Sequence, residues 1–543
     1  MIKIEIDLIA IVKKAAKKAF PEIPEGVFEG LLLEVPKEKK FGDFSSNIAM
    51  RLSRELKKAP MDIAAALIKH IEKLEIIQDV KVEKPGFINF YILNKAVIAT
   101  LKDIIKEDAG FGSSSLGKNK KVQIEFVSAN PTGPLTVAHG RQAAIGDSLA
   151  RILKFCGYDV TREYYINDEG VQIQALGKSL KARFMDLMGE KSEFPENGYK
   201  GGYVSDIAQR LKDSNPGGPL SDDFFMEYAA KEIMGAIIKD LEDFGVHFDV
   251  WYSQKKLAAS GNVERAIEDL KKKEFLYEQD GAIWFRSIDF GDDKDRVIVK
   301  SDGSHTYLTP DIAYHREKFE KGYERIINIW GPDHHGYINR IKAACQALGY
   351  DKEKLSILIA QLVTLYRSGK PVKMSTREGE FITLREVMDE VGRDAARFFF
   401  IMRRVESHLD FDLALAKAQT LDNPVYYIQY AHARISSIIE FSENTKQNFD
   451  NLELLDKEQE MNLIKALMNY PKIIEVTASN LEPSILLTYL QDLAGLFHSY
   501  YNAYRIVTDD KPLTEARIVL IHTVKKVLAS GLDLLGVTAL EKM

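Results

Sequence analysis

At 543 residues the chain is too long for one compact core, and its length predicts roughly three to four domains. Hydrophobic residues make up 45% and charged residues 28%, which excludes a disordered or fibrous protein. A net charge of −6 argues against indiscriminate adhesion to nucleic acid, but leaves room for a local basic face.

The first segment, residues 1–112, mixes helical periodicity with a strand-like run. The opening MIKIEIDLIAIVKKAAKKAF carries Asp7 and scattered lysines among its apolar residues, so no signal peptide is expected. Helical patterns continue around Ile48–Leu56 and in MDIAAALIKHIEKL. VKVEKPGFINFYI then alternates like a strand pair around Pro85–Gly86. GFGSSSLGKNKK, residues 110–121, is a linker composition and marks a domain boundary. No stretch approaches the ~20 apolar residues of a membrane span. Cys156 and Cys345 are the two cysteines; so few fit a reducing cytoplasm and rule out a cysteine zinc cluster.

Residues 113–404 contain two strand–loop–helix units. VQIEFVSAN reads as a strand, followed by a proline-rich loop. The next helix starts near His139, with Ile145, Leu149, Ile152 and Cys156 on one face and Gly157 at its C-terminal cap. DVTREYYIND returns as a strand, completing a βαβ unit. ERIINIW, the loop GPDHHG and a helix ending at Gly349 repeat the pattern, and KLSILIAQLVTLY resumes as a strand. Two such units predict a Rossmann-type, doubly wound parallel α/β core, with its ligand crevice beyond the strand ends. Residues of about 175–300 read as a charged insertion. Residues 405–543 are nearly all helical in pattern and predict an all-α bundle.

The chemistry gathers in the loops. The helix start at His139 and Gly140 offers unpaired N–H groups to a phosphate, with Gly140 allowing close approach; a plain helix cap at His139 is an equal reading. No GxGxxG or GxxxxGK[ST] is present, so the usual dinucleotide and P-loop readings fail. In GKPVKMSTREGEFITL, Lys373 and Arg377 lie four residues apart and can neutralise a leaving pyrophosphate, or can form a solvated basic loop. Glu125, Asp311 and Asp333 fall at strand ends or crevice loops. Glu125 also fits a solvent-facing strand position, and Asp311 a helix N-cap. Asp333, His334 and His335 have no third cluster beside them, so a structural zinc site is rejected.

Taken together, EFVSANPTGPL, HG, YDVTREYYINDEG, YLTPDIAYH, WGPDHHGYI, KMSTREGEFITL, NPVYYIQYAHARI and LDLLGV resemble the arginyl-tRNA synthetases of the bacterial type. These are class I enzymes with HIGH and KMSKS signatures. The resemblance implies an N-terminal α+β domain that contacts the tRNA elbow, the Rossmann core, and a helical anticodon-binding domain. It implies ligation of L-arginine to tRNA(Arg) through arginyl-adenylate, with ATP and Mg2+, no tightly bound cofactor, and a cytoplasmic monomer. Thr136, His139, Lys373 and Arg377 are then the catalytic residues. Thr136, His139, Gly140, Asp333, His335, Lys373, Met374 and Ser375 hold ATP. Glu125, Ser128, Asn130, Tyr307, Asp311 and Asp333 hold arginine. Asn89, Tyr427, Tyr430, Arg434, His498, Tyr501 and Arg505 face tRNA, although about half of the C-terminal aromatic residues are expected in the bundle core. The chain departs from the family pattern at Thr136 and Ala138 in the HIGH element and at Thr376 in KMSKS. A weak, RNA-binding relative or another class I synthetase is the alternative.

Overall fold

The run Val122–Ile124 is fully buried and alternates with nothing polar toward solvent, because helices cover both faces of the sheet it belongs to. That sheet has five strands in the order Leu355–Ile359, Arg325–Trp330, Lys121–Glu125, Asp159–Ile166 and Val250–Ser253. All four pairings are parallel, with Glu125 beside Asn328 on one side and Glu163 on the other. The strand order reverses at Lys121–Glu125, which opens the crevice at its C-terminal end. The computed structural model describes all residues except 1–2, 29, 32, 37, 108–109, 191, 215–216, 218–219, 368, 373–381 and 443–448.

The helix Val137–Phe155 crosses this sheet and is buried over most of its length. It begins two residues before the expected start. Gly146 allows it to sit close: a Cβ there would stand 2.2 Å from Phe126 Cγ. Gly140 has a related role. Its missing Cβ leaves room for Leu384 Cδ1, at 2.8 Å from the position it would take, and for the Phe400 ring. The glycine therefore serves helix packing, which corrects its reading as a point of ligand approach.

Two short strands lie within stretches whose pattern does not show them. The stretch read as one insertion is divided, because Val250–Ser253 returns to pair with Glu163–Ile166. Before it lie the helices Val171–Leu187, Gly202–Asp213 and Asp222–Asp243; after it comes a three-stranded antiparallel sheet over residues 276–299. At the start of the helical end, Leu409–Asp412 pairs in parallel with Val363–Arg367 in a separate small sheet.

The N-terminal segment folds around the antiparallel strands Ile77–Glu83 and Phe87–Ile92, with Phe44–Ser46 at the other edge. The helices Pro424–Phe441, Glu458–Asn480, Ser484–Ala503 and Lys511–Leu534 form the C-terminal bundle. The two ends of the chain meet: Lys465 of the bundle pairs with Asp43, and the Lys472 ammonium donates to the Leu33 carbonyl.

Candidate active site

The crevice holds a cavity of about 480 Å³, lined by Glu125, Ser128, Asn130, His139, Tyr307, Asp311 and Asp333, among others. This is an ordinary size for a small-molecule site. All six residues expected to hold arginine are thus brought together at one place, with His139 from the helix start beside them. Thr136 caps the helix just behind them.

Glu125 is buried at the end of its strand rather than facing solvent. Its Oε1 accepts from Ser128 Oγ at 3.0 Å and its Oε2 from Lys318 Nζ at 2.6 Å. Burial pushes its carboxyl up, but the charge and hydrogen bond of Lys318 outweigh this, and the net shift is downward. Ser128 reaches back because Val127 and Ser128 turn the chain through φ +68° and +40°. Such angles are rare for a β-branched residue, and the strain is held by burial of Val127.

Asp311 lies in the first turn of the helix Leu308–Glu320, and its Oδ2 accepts from the Tyr337 hydroxyl at 2.8 Å. It is no N-cap; Tyr307 occupies that position, 74% exposed at the cavity rim. Burial raises the Asp311 carboxyl to about 7, with the Tyr337 hydrogen bond opposing and the charge of Glu125 adding to the rise. Asn130 Nδ2 donates to Gln172 Oε1 at 2.8 Å, joining this cavity to a second one of about 590 Å³ walled by Asn197, Tyr199 and Tyr203.

His139 fulfils its reading as a helix cap. The Thr136 backbone N–H donates to its Nδ1 at 3.1 Å, which caps the helix start. With Nδ1 accepting, the neutral ring carries its proton on Nε2. Burial lowers its pKa to about 4 against the opposing charge of Asp333, so it is a neutral donor at the helix N-terminus. His335 is exposed and outside the cavity lining, whereas His334 lines the cavity and lies 5.9 Å from the Trp330 ring. Lys373, Met374, Ser375, Thr376 and Arg377 lie outside the described residues.

Sequence reasoning missed Gln142, Tyr165, Gln254, Tyr314 and Tyr337, which also line the cavity. Three of these are tyrosines that look like core residues in any pattern. Tyr165 and Tyr314 sit 4.7 Å apart between centroids and form the pocket floor.

The expected RNA face divides as physical size suggests. Phe497, Tyr500 and His432 are core. Tyr430, Arg434, Tyr501 and Arg505 line a surface cavity of about 620 Å³. The Arg434 guanidinium lies 4.9 Å from the Tyr430 ring and 4.4 Å from the Tyr501 ring. His498 stacks 5.8 Å from Tyr430 and is half-buried, as is Tyr427. Asn89 is buried, 2% exposed, and its Oδ1 accepts from Ser45 Oγ at 2.6 Å. Its side chain joins neighbouring strands, which corrects its reading as a base contact.

A parallel sheet with a capped helix after its middle strand, and carboxylates across the crevice, defines the catalytic core of a class I aminoacyl-tRNA synthetase. The comparisons narrow this. Residues 100–405 match the family described as tRNA synthetases class I (R), catalytic domain; residues 7–92 match the arginyl tRNA synthetase N terminal domain, and 428–543 the DALR anticodon binding domain. An arginine–tRNA ligase of Citrifermentans bemidjiense is 47% identical, covering 99% of both chains. One from Moorella thermoacetica is 44% identical over 99% of this chain and 97% of its own. The solved arginyl-tRNA synthetase of Thermus thermophilus shares the fold, with a TM-score of 0.80 at 22% identity, covering 99% of this chain and 100% of that one. The chain belongs to the arginyl-tRNA synthetase family.

Proposed function

We propose that this chain is an arginine–tRNA ligase that activates L-arginine with ATP and transfers it to the terminal ribose of tRNA(Arg). The observation that carries the reading is the placement of Glu125 and Asp311 on one cavity beside a capped helix N-terminus. A guanidinium offers five donors in a fixed fork, and carboxylates on facing elements satisfy it better than any neutral group. Glu125 and Asp311 take the side chain, with Tyr307 at the rim, Ser128 fixing Glu125, and Asn130 and Asp333 near the amino-acid end.

The arginine carboxylate then attacks the α-phosphate of ATP, giving arginyl-adenylate and pyrophosphate. His139, a neutral Nε2–H donor, and the N–H groups at the start of Val137–Phe155 face the phosphates, with Thr136 holding the imidazole in place. No protein nucleophile is needed; positioning and preorganised donors suffice. Lys373, Met374, Ser375 and Arg377 complete the set that binds the nucleotide, with Lys373 and Arg377 neutralising the leaving pyrophosphate. Mg2+ arrives with ATP as part of the substrate. It would offset negative charge on the phosphates.

A terminal ribose hydroxyl of tRNA attacks the mixed anhydride. Tyr427, Tyr430, Arg434, His498, Tyr501 and Arg505 supply stacking surfaces for unpaired bases. The free, buried Cys156 and Cys345 fit work in the cytoplasm, and the enzyme works as a monomer.

The test is charging of tRNA with radiolabelled arginine, ATP and Mg2+. Arginylation, with no lysylation, is expected, and Asp311→Ala should abolish it. Tight tRNA binding without charging would favour an RNA-binding relative instead.

A further inference from the structure

Lys318 is the most deeply buried ammonium around the crevice, with its side chain 1% exposed. It lies on the helix Leu308–Glu320 on the same face as Asp311, Tyr314 and His315. Its three N–H groups are accounted for: Glu125 Oε2 at 2.6 Å, Asn328 Oδ1 at 3.0 Å, and the face of the Tyr314 ring, whose centroid is 4.2 Å away.

The proton order around it is self-consistent. Asn328 Nδ2 lies 2.8 Å from His315 Nε2, and His315 Nδ1 lies 2.8 Å from the Asp311 carbonyl. With Asn328 accepting from Lys318 through Oδ1, its amide donates to Nε2. Nδ1 then carries the proton and donates to the Asp311 carbonyl. The chain of bonds runs from the Glu125 carboxylate to the backbone of Asp311, joining both proposed arginine partners beneath the cavity floor. A buried lysine is costly, and replacing such ion pairs by apolar groups is often neutral or stabilising. Packing alone therefore gives no reason for a cation here.

The surroundings do. Glu125 and Glu163 act on Tyr314, whose hydroxyl donates to Glu163, and Glu125 and Asp311 act together on the neighbouring Tyr165. Glu125 and Asp311, two carboxyls sharing so dry a place, oppose each other's charge, and the Lys318 ammonium offsets both. We propose that Lys318 is an internal counter-ion that keeps Glu125 ionised and aimed into the cavity, so that the site is charged for a guanidinium before one arrives. Lys318 touches no substrate; it is a positioning residue acting through Glu125, and the proposal rests on the assignment of this cavity to arginine.

The test is calorimetric titration of the full chain with L-arginine, for the unaltered protein, Glu125→Gln, Lys318→Met and the double variant. Lys318→Met should weaken binding about tenfold or more, because Glu125 then becomes neutral. Glu125→Gln should weaken it about a hundredfold, since the guanidinium now meets an unbalanced ammonium. The double variant removes that repulsion and should bind roughly tenfold tighter than Glu125→Gln alone. A merely structural lysine predicts the opposite, a double variant as weak as the single or weaker, and that result overturns the proposal. Should Lys318→Met fail to fold, Lys318→Gln retains an N–H donor without the charge; unchanged affinity in that variant would equally overturn it. An unaltered chain that binds no arginine would sink the assignment of the cavity as well, and so is told apart from failure of the counter-ion alone.

Discussion

At the scale of single residues, the pocket contains a carboxyl whose charge depends on occupancy. Asp311 sits at about 7 because burial favours its neutral form. A guanidinium needs it ionised. As pH falls below 7, KM for arginine should therefore rise by about tenfold per unit, one proton being released per arginine bound. Kinetics of charging at saturating ATP and tRNA between pH 6 and 8 would measure the slope; a flat KM would refute it. The stability sign is the reverse of the usual carboxylate case. A folded pKa raised above the unfolded one contributes stability at low pH, and that stability is lost as pH rises through 7. Asp311→Asn should thus melt higher than the unaltered protein above pH 7, converge with it at low pH, and lose charging activity. Glu125 was harder to place from sequence, because alternation with Val122, Ile124 and Phe126 reads as a half-exposed strand. The sheet is covered on both faces, which alternation cannot reveal. Lys318 was silent for a related reason: a lysine on a helix is read as solvated until the helix proves buried.

At the scale of elements, the strand–turn–helix Lys121–Phe155 sets the geometry. Its order was legible from the periodicity switch and the prolines of the loop. Its tightness was not, since Gly146 and Gly140 owe their meaning to Phe126, Leu384 and Phe400 arriving from elsewhere. Gly146→Ala would force a methyl into the Phe126 ring. The expected cost is about 1–3 kcal/mol, read as a lower denaturation midpoint, together with a raised KM for arginine as Glu125 shifts with Phe126. Wild-type KM in a destabilised variant would separate the helix from the pocket. The return strand Val250–Ser253 escaped detection because four residues within a charged stretch carry too little pattern.

At the scale of the molecule, one buried cation ties the parts together. The Arg397 guanidinium donates to Asp147 Oδ2 at 2.6 Å, to the Phe244 carbonyl at 3.1 Å and to the Leu535 carbonyl at 3.2 Å. Asp147 belongs to the helix behind the active site, Phe244 ends the helical excursion, and Leu535 closes the last bundle helix. Both charged side chains are fully buried. Arg397→Met would leave Asp147 with only the part-exposed Arg151 and, at 3.8 Å, Arg162. It should cost about 3–5 kcal/mol in chemical denaturation, whereas Arg397→Met with Asp147→Leu should cost much less. Equal losses would show that the pair contributes no coupling.

The parallel pairing of Asp159–Ile166 with Val250–Ser253 carries a constraint on how the enzyme can be rebuilt. Parallel neighbours cannot be joined by a hairpin; the chain must leave one end of the sheet and re-enter at the other. The three helices between these strands perform a traverse for which one would be long enough. A miniaturised enzyme could therefore discard much of this stretch, but never all of it. The part that walls the second cavity, from Asn197 to Tyr203, is where trimming would first be felt at the mouth of the site.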